Sequence, residues 1–280
     1  MSDATLPPLI LSEVREGVAI VTFNRPARLN AWAPETGTTY FNLLEQHALD
    51  PEVRVILVTG QGRAFCAGAD MSALSAMAGS AATLNLEKRP YWFPLTIGKP
   101  IVAAIRGHCI GIGLQQALCC DIRFLAWDAK ISTVYARRGL VGELGISWLL
   151  PRIVGMGATM DLLLSGRTID ADECYKIGLA NRLVDVEVAF DVAFDYCRQI
   201  SKQCAPWSMR TIKQQIYADL TSSLPESYAR AEAAVAEALT GAAFGEGMKA
   251  FAEKRSASYL PLDPSLALLD IAPNGVGSRN

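Results

Sequence analysis

Short apolar runs alternate with segments of helical period along the first half of the chain. Two β-rich runs, at 9–15 and 17–23, meet at Glu16 and Gly17, a pair that predicts a hairpin. Three further runs are predominantly apolar, as expected for strands covered on both faces: 53–59, 101–105 and 121–126. Helices are predicted at 34–49, in part of 72–89, at 113–119 and after the glycine-rich segment 139–157. Strands that alternate with helices indicate repeated β-β-α units and an α/β fold.

The second half of the chain has a mainly helical period. Four helices are predicted there, at 171–177, 188–204, 208–220 and 225–239. We place a boundary near Asp185, with an α/β core at 1–185 and a helical region at 186–260. Residues 261–280 contain Pro, Gly, Ser and Asn without a clear period, and we expect a flexible tail there.

The composition is that of a packed globular protein. Hydrophobic residues make up 51% of the 280 residues, and charged residues make up 19%, against roughly 25% charged in an average domain. This balance excludes a disordered chain and favours an oligomer that buries further surface. The formal net charge is −2, without the basic excess of a general nucleic-acid binder, so no nucleic-acid partner is expected.

The N-terminus and the cysteines predict a soluble, cytoplasmic protein. The first residues contain neither the basic nor the apolar segment of a secretory signal. The uncharged stretch at 107–120 is shorter than the ~20 apolar residues that a membrane span needs. The seven cysteines are an odd number without a CxxC pair, which favours free thiols in a reducing compartment.

Several common catalytic motifs are missing from the chain. It has two histidines and no HExxH or Cys/His spacing, so no metal site is expected. It also lacks the GxSxG motif of serine hydrolases and the phosphate-binding P-loop. The segment 111–116 begins like a dinucleotide fingerprint, but Gln116 stands at the third glycine position.

Two glycine-rich segments share one pattern that carries chemistry. Residues 60–70 and 107–113 each follow a predicted strand and lead into a predicted helix. Small residues let a ligand approach the backbone, and the first N–H groups of a helix have no partner within it. Two such N–H groups that face one point form an oxyanion hole. Two tight structural turns remain an equal alternative at this step.

The sequence at and around these segments resembles the crotonase family, the enoyl-CoA hydratase/isomerase superfamily. Several of its motifs occur in order between about residues 14 and 259. They are Asn24-Arg-Pro26, Leu29-Asn-Ala31, Ala64-Phe-Cys-Ala-Gly-Ala-Asp70, Lys99-Pro-Ile-Val-Ala-Ala-Ile-Arg-Gly107, Cys120-Asp-Ile-Arg123 and Leu149-Leu-Pro-Arg-Ile-Val-Gly155.

The resemblance implies a crotonase (ClpP-like) spiral of β-β-α units with a helical C-terminal trimerisation region. It implies homotrimers, often paired into hexamers, and an acyl-CoA thioester as substrate, so coenzyme A belongs to the substrate and no separate cofactor is needed. The oxyanion N–H groups then come from Ala69 and Ile112. The family usually has glycine at the second position, but a backbone N–H does not depend on the side chain.

The resemblance also implies which residues meet coenzyme A. Ala67, Asp70 and Met71 match the stretch that lines its adenine and pantetheine. Arg25 and Arg28 match the N-terminal loop that meets coenzyme A, which suggests phosphate contacts. Solvated surface charge is an equal alternative for both arginines.

Three further side chains are candidates near the two turns. Trp92 lies in an aromatic cluster where the family often closes the acyl pocket, and core packing is the alternative. Tyr135 is a candidate donor to a bound water or intermediate. His108 precedes the second turn, and both substrate contact and a structural role stay open for it.

The carboxylates depart from the hydratase pattern. Hydratases of the family carry two catalytic Glu, and the matching positions here hold Gln115 and Tyr135. Glu143 is the only Asp or Glu between Asp128 and Asp161, and its neighbours are mostly apolar. Such surroundings suit a group that shuttles one proton, and isomerases of the family place their single acid in this loop. An acid in the first turn of a helix is the alternative for Glu143.

The leading hypothesis is therefore isomerisation of an enoyl-CoA double bond by Glu143, with the thioester oxygen held at Ala69 and Ile112. One alternative is enoyl-CoA hydration through an altered acid set. A homologue that binds acyl-CoA or RNA without catalysis is another, and the near-neutral charge weakens the RNA version. Fatty, aromatic and sterol-derived acyl groups all stay open.

Overall fold

The computed structural model describes residues 7–75 and 88–271. The strands are β1 (Ile10–Arg15), β2 (Val18–Phe23), β3 (Val55–Gly60), β4 (Ala64–Cys66), β5 (Ile101–Ile105), β6 (His108–Ile110), β7 (Ile122–Ala126), β8 (Lys130–Ser132), β9 (Thr168–Asp170) and β10 (Arg182–Val184). The α-helices are α1 (Thr36–Leu49), α2 (Met71–Ser75), α3 (Ile112–Leu118), α4 (Ile146–Ser165), α5 (Ala171–Lys176), α6 (Ala189–Gln203), α7 (Pro206–Asp219), α8 (Leu224–Thr240) and α9 (Ala242–Glu253). Short 3-10 helices lie at Pro26–Arg28, Phe93–Thr96, Ala136–Arg138, Val186–Val188 and Pro264–Leu266.

Six strands form the larger sheet, in the order β1-β2-β3-β5-β7-β10. All neighbours in it run parallel except β1, which pairs antiparallel with β2 from Ile10↔Phe23 to Arg15↔Val18. Glu16 and Gly17, with φ of 51° and 78°, supply the two positive φ angles of a tight hairpin turn. The predicted hairpin and the three predicted apolar strands are confirmed.

A second sheet holds four strands of three residues each, in the order β4-β6-β8-β9. The pairs β4–β6 and β6–β8 are parallel, and β9 pairs antiparallel with β8. Three residues are too few to show an alternating period, so the sequence pattern did not predict these strands. Because β4 and β6 are parallel neighbours, the segments that follow them begin side by side at the same edge of this sheet.

Two hydrophobic clusters cover the two faces of the larger sheet. The main cluster joins side chains of both sheets with those of α1, α3, α4 and α5. On the opposite face, Ala193, Phe194 and Cys197 of α6 pack against β2, β3, β5 and β7. This double cover explains why the central strands are apolar on both faces.

The C-terminal half is helical, as predicted, although α6 belongs with the sheet by its packing. Helix α9 lies within the region 186–260 that was predicted to be helical, although it was not predicted as a separate helix, because Gly245 and Gly247 weaken its helical period. Helix α8 has no buried residue, and α9 buries Ala250 alone. Each described helix is too short or too polar to cross a membrane.

The prediction of a flexible tail from residue 261 is corrected for residues 261–271. Leu262, Ala267 and Leu269 are buried there. The Gly98 N–H donates to the Ala267 carbonyl at 2.7 Å, and Leu269 N–H donates to Thr96 O at 2.6 Å. A few apolar residues spaced by Pro and Asp show no period, yet they fill the rim of the core. Residues 272–280 lie outside the described residues, as do 76–87 of the predicted helix at 72–89, whose first turn is α2.

All seven cysteines are free, and six of them are buried. Burial raises the pKa of the Cys66 thiol to about 12. The thiolate is the nucleophilic form of cysteine, so this side chain is a small apolar filler inside its motif rather than a nucleophile.

Candidate active site

The amide of Ala69 lies where the chain leaves β4. Trp32 N–H donates to the Gly68 carbonyl at 2.8 Å, and Asp70 N–H donates to the Trp32 carbonyl at 2.9 Å. These bonds use the peptide groups on either side of Ala69, so the N–H of Ala69 points away from Trp32. Within residues 7–75 and 88–271 it has no hydrogen-bond acceptor. Trp32 was missed as a residue of this site, although it directly follows the Leu-Asn-Ala motif.

The amide of Ile112 is the first of helix α3, directly after β6 and Gly111. Gly111 N–H donates to the Ser132 carbonyl at 3.0 Å, which ties the turn to β8. The first N–H groups of a helix have no partner within it and carry a partial positive charge. No described residue accepts a hydrogen bond from the Ile112 N–H. It is therefore free for a ligand.

The turns that carry the two amides are in van der Waals contact. A Cβ added at Gly113 would lie 2.4 Å from the Cys66 carbonyl oxygen, and one added at Gly68 would lie 3.3 Å from the Ile110 carbonyl oxygen. Glycine at position 113 thus lets the start of α3 approach the end of β4. Two unpaired N–H groups on neighbouring turns fit the requirements of an oxyanion hole.

Glu143 lies in the loop that precedes α4. Its carbonyl accepts a hydrogen bond from Ile146 N–H at 3.1 Å, and the next two residues, Leu144 and Gly145, have φ of 58° and 83°. The residue keeps solvent access over more than a third of its surface. The surrounding protein nevertheless displaces part of the water around the carboxyl, and this desolvation raises the pKa of Glu143. A carboxyl with a raised pKa holds its proton more readily than an ordinary Glu, which favours a role in proton transfer.

Tyr135 lies beside Glu143. Its side chain is only 3% exposed, and its hydroxyl has no hydrogen-bond partner among the described residues. Burial, and after it the charge of Glu143, raise the pKa of the Tyr135 hydroxyl, so the carboxylate acts electrostatically on this hydroxyl. A buried donor without a partner beside a carboxylate is available to a ligand.

Gln115 is fully buried on α3 and is engaged at both ends of its amide. Its Nε2 donates to the carbonyl oxygen of Leu144 at 2.9 Å, and its Oε1 accepts from Nε2 of Gln116. The first turn of α3 and the loop of Glu143 are thus in direct contact. Neither position of the hydratase carboxylate pair holds an acid, as the sequence indicates.

Arg25 and Asp70, both predicted to meet coenzyme A, form an ion pair with each other. The Arg25 guanidinium lies 2.9 Å from the Asp70 carboxylate, and it also donates to the Ala31 carbonyl at 2.6 Å. Asp70 further accepts from the Ser72 hydroxyl at 2.7 Å. The Ser72 bond, and then that of Arg25, hold the pKa of Asp70 below its usual range. These bonds brace the turn that carries Ala69.

The other predicted contact residues lie around this turn and the neighbouring cluster. Arg28 and Met71 are exposed, and Ala67 is half-buried. Trp92 is half-buried against the core at the start of a 3-10 helix. His108 is exposed on β6. Within the described chain, no group of three His, Cys, Asp or Glu side chains is placed to hold a metal ion.

The chain is similar to curated enzymes that act on acyl-CoA esters. The family model described as enoyl-CoA hydratase/isomerase matches residues 13–260. The 1,2-epoxyphenylacetyl-CoA isomerase of Escherichia coli is 32% identical over 256 residues, which is 89% of this chain and 97% of that protein. The (E)-benzylidenesuccinyl-CoA hydratase of Thauera aromatica is 33% identical over 204 residues, 72% of this chain and 79% of that one.

Solved structures agree with this relationship. A probable enoyl-CoA hydratase/isomerase from Mycobacterium abscessus superimposes with a TM-score of 0.84 at 29% identity, covering 90% of this chain and 99% of that one. An enoyl-CoA hydratase from Mycobacterium marinum is 43% identical, with a TM-score of 0.65 over 76% of this chain and 99% of that one. From its family match and its fold, this chain belongs to the enoyl-CoA hydratase/isomerase family and has the crotonase fold.

Proposed function

We propose that the chain isomerises the double bond of an enoyl-CoA thioester, with Glu143 as the single acid/base. The observation that carries this proposal is the arrangement around α3. The free amide of Ile112 begins the helix, and Gln115 on the same helix contacts the loop of Glu143. One carboxylate with a raised pKa lies there, while Gln115 and Tyr135 occupy the positions of the hydratase pair.

The reaction needs no water as a reactant. The thioester oxygen accepts hydrogen bonds from the N–H groups of Ala69 and Ile112, which stabilise the negative charge of an enolate. Glu143 removes a proton from the carbon next to the thioester carbonyl, and the C–H electron pair moves into the enolate. Glu143 then returns the proton to the far end of the original double bond. The double bond shifts by one carbon, and the carboxylate is regenerated.

The neighbouring residues bind the remainder of the substrate. Ala67 and Met71 line the path of the adenine and pantetheine beside the braced turn at Asp70. Arg28 is exposed and, in the described part of the chain, forms no ion pair, so it is free to meet a phosphate. Arg25 acts mainly by holding Asp70.

Two side chains complete the reacting region. Tyr135 supplies a buried hydrogen-bond donor beside Glu143. Trp92 forms part of the wall of the acyl pocket, where its half-buried ring packs on the core. Both roles assume that the thioester oxygen lies between the N–H groups of Ala69 and Ile112.

Hydration of a 2-enoyl-CoA is the second candidate function. It is favoured by the relatives, among which a putative enoyl-CoA hydratase of Thermus thermophilus is 33% identical over 87% of this chain. In that reaction Glu143 would activate a water molecule. The missing second carboxylate makes it the weaker candidate, and a homologue that binds acyl-CoA without turnover is the third.

We further propose a homotrimer, or a hexamer of two trimers, working in the cytoplasm. Apolar side chains of the C-terminal helices support the assembly, because they remain exposed in the single chain. Phe251 of α9 is 82% exposed, and Leu224 at the start of α8 is 81% exposed. Exposed apolar surface of this extent is typical of a protein interface.

The test is a turnover panel that compares isomerisation of 3-enoyl-CoA with hydration of 2-enoyl-CoA. We expect the wild type to favour isomerisation, and Glu143→Gln to lose it by about 10²-fold or more, since general acid–base catalysis contributes on that scale. The wild-type kcat/KM should fall as pH drops through a pKa above that of ordinary Glu, because protonation removes the base. This acid limb should be absent from Glu143→Gln.

Glu13→Gln is the matched control, because Glu13 is an exposed carboxylate on the edge strand β1. It should leave both reactions and the pH profile unchanged. Full isomerase turnover in Glu143→Gln would refute the assignment of the acid/base. Strong hydration by the wild type would favour the hydratase, and tight acyl-CoA binding without either reaction would favour the silent homologue.

A further inference from the structure

Gln115 stands out because a buried polar side chain joins the two halves of the candidate site. It is 0% exposed on α3, and its Nε2 lies 2.9 Å from the carbonyl oxygen of Leu144, the residue after Glu143. The same amide group lies 3.4 Å from the carbonyl of Tyr91 and 3.4 Å from the Cys119 sulfur. A buried amide held on several sides has a single available orientation.

The loop that receives this hydrogen bond has an unusual backbone. Leu144 has φ of +58°, in the left-handed region that residues other than glycine rarely occupy. Such a conformation persists only where the surrounding structure holds it. The hydrogen bond from Gln115 fixes the Leu144 carbonyl, and with it the peptide between Leu144 and Gly145, one residue after Glu143.

The helix that provides this restraint also provides an oxyanion amide. Ile112 is the first residue of α3, and Gln115 lies three residues further along the same helix. A displacement of the Glu143 loop relative to the thioester therefore has to break the bond from Gln115. An ionised Glu at position 115 could not make this bond, because a carboxylate has no hydrogen to donate.

We infer that Gln115 is a positioning residue, which holds the carboxylate of Glu143 at a set distance from the oxyanion hole by donating to the Leu144 carbonyl. The inference rests on the proposed function of Glu143 and extends it. It assigns a role to Gln115, which stands at a position where hydratases of the family carry a catalytic Glu. Gln115 acts through the loop and touches no reacting atom.

The first variant is Gln115→Met, which keeps the length of the side chain and removes the donor. We expect kcat for isomerisation to fall about tenfold or more, since small misplacements of a catalytic group are costly, with KM changed less than about threefold. The acid limb of the pH profile should move to lower pH, because a released Glu143 gains water and its pKa falls.

Thr159→Val is the matched control. Thr159 is 3% exposed, and its hydroxyl donates to the Gly155 carbonyl at 2.8 Å within α4. The isosteric change removes a hydrogen bond of similar burial without touching the Glu143 loop. It should leave kcat within about twofold of the wild type and the pH profile unchanged. An equal loss of kcat in both variants, with the same pH profile, would overturn the inference.

The second variant, Gln115→Glu, makes the hydrogen bond to the Leu144 carbonyl depend on pH. A neutral carboxyl can donate to the Leu144 carbonyl, whereas an ionised one cannot. Isomerisation should therefore gain an alkaline limb, in which activity falls as pH rises through the pKa of the introduced group. Activity that stays constant as pH rises beyond the acid limb of Glu143 would contradict a restraint through this hydrogen bond.

Amide hydrogen exchange of the substrate-free protein separates this inference from the proposed function. In Gln115→Met the segment 140–148 should exchange faster than in the wild type, and in Thr159→Val it should not. If exchange becomes faster but no turnover depends on Glu143, the result would support the restraint of the loop by Gln115 and refute the proposed function. If turnover depends on Glu143 but Gln115→Met changes neither exchange nor kcat, the restraint by Gln115 would be refuted and the proposed function would stand.

Discussion

The hydroxyl of Tyr135 is buried beside Glu143 without a hydrogen-bond partner among the described residues. A buried hydroxyl in this state has given up its hydrogen bonds to water, at a cost of about 1–3 kcal/mol. Tyr40 of α1 is buried in the same state, but it lies in the core among Phe23, Trp32 and Phe41. The two tyrosines differ in their position relative to Glu143.

We predict that Tyr135→Phe lowers isomerase kcat about tenfold or more, because in the proposed mechanism the hydroxyl donates a hydrogen bond to the reacting group. The free energy of unfolding should rise by about 1–3 kcal/mol, because phenylalanine no longer buries a hydroxyl without a hydrogen-bond partner. Steady-state kinetics and urea unfolding measure the two quantities. Tyr40→Phe is the control and should leave kcat unchanged. An equal loss of activity in both variants would contradict a role in catalysis.

Among single elements, the approach of α3 to β4 sets the geometry of the two free amides of Ala69 and Ile112, the proposed oxyanion hole. Gly113 is the residue that permits it, because a Cβ there would meet the Cys66 carbonyl oxygen at 2.4 Å. Backbone atoms of a buried strand cannot move away at little cost. Helix α4 provides the contrast, since a Cβ at the exposed Gly157 would meet nothing within 4 Å.

We predict that Gly113→Ala forces α3 away from β4 and lowers kcat by about 10²-fold or more, as expected when one oxyanion donor is misplaced. It should also destabilise the fold by about 1–3 kcal/mol through overpacking. Kinetics and thermal unfolding report the two effects. Gly157→Ala should keep full activity and gain about 0.5–1 kcal/mol, because alanine favours a helix. Normal kcat in Gly113→Ala would show that the amides tolerate the shift.

Over the whole molecule, burial is unevenly distributed. The core around the two sheets is closed, whereas α8 and α9 expose most of their apolar side chains to solvent. Low charge and high apolar content of the chain are consistent with this distribution. A further copy of the chain is the occupant that the family resemblance implies for this surface.

We predict that the native protein has the mass of three or six chains at micromolar concentration. Phe251→Asp should lower this mass, because it places a charge on an apolar surface that assembly would bury. Leu11→Asp changes a 40% exposed residue on the edge strand β1 and should leave the mass unchanged. Analytical ultracentrifugation measures all three proteins. A monomeric wild type would refute the proposed assembly.

Much of the fold was accessible from the sequence. The hairpin at Glu16-Gly17, the apolar strands β3, β5 and β7 and most of the helices follow from local period and turn chemistry, which depend on neighbouring residues. The three-residue strands of the second sheet, the helix α9 and the packing of residues 261–271 did not. Their stability comes from distant partners, such as Thr96 for Leu269 and His108 for Ala64.

The candidate site divides in the same way. Its motifs identified the two turns, Glu143 and the absence of acids at positions 115 and 135, because residue identity is written in the chain. The sequence alone indicated the family and the candidate groups. Only the tertiary structure decided that Arg25 is bound to Asp70, that the Tyr135 hydroxyl is buried without a partner among the described residues, and that Gln115 donates to the Leu144 carbonyl. These facts depend on contacts between segments far apart in sequence, which local patterns do not encode.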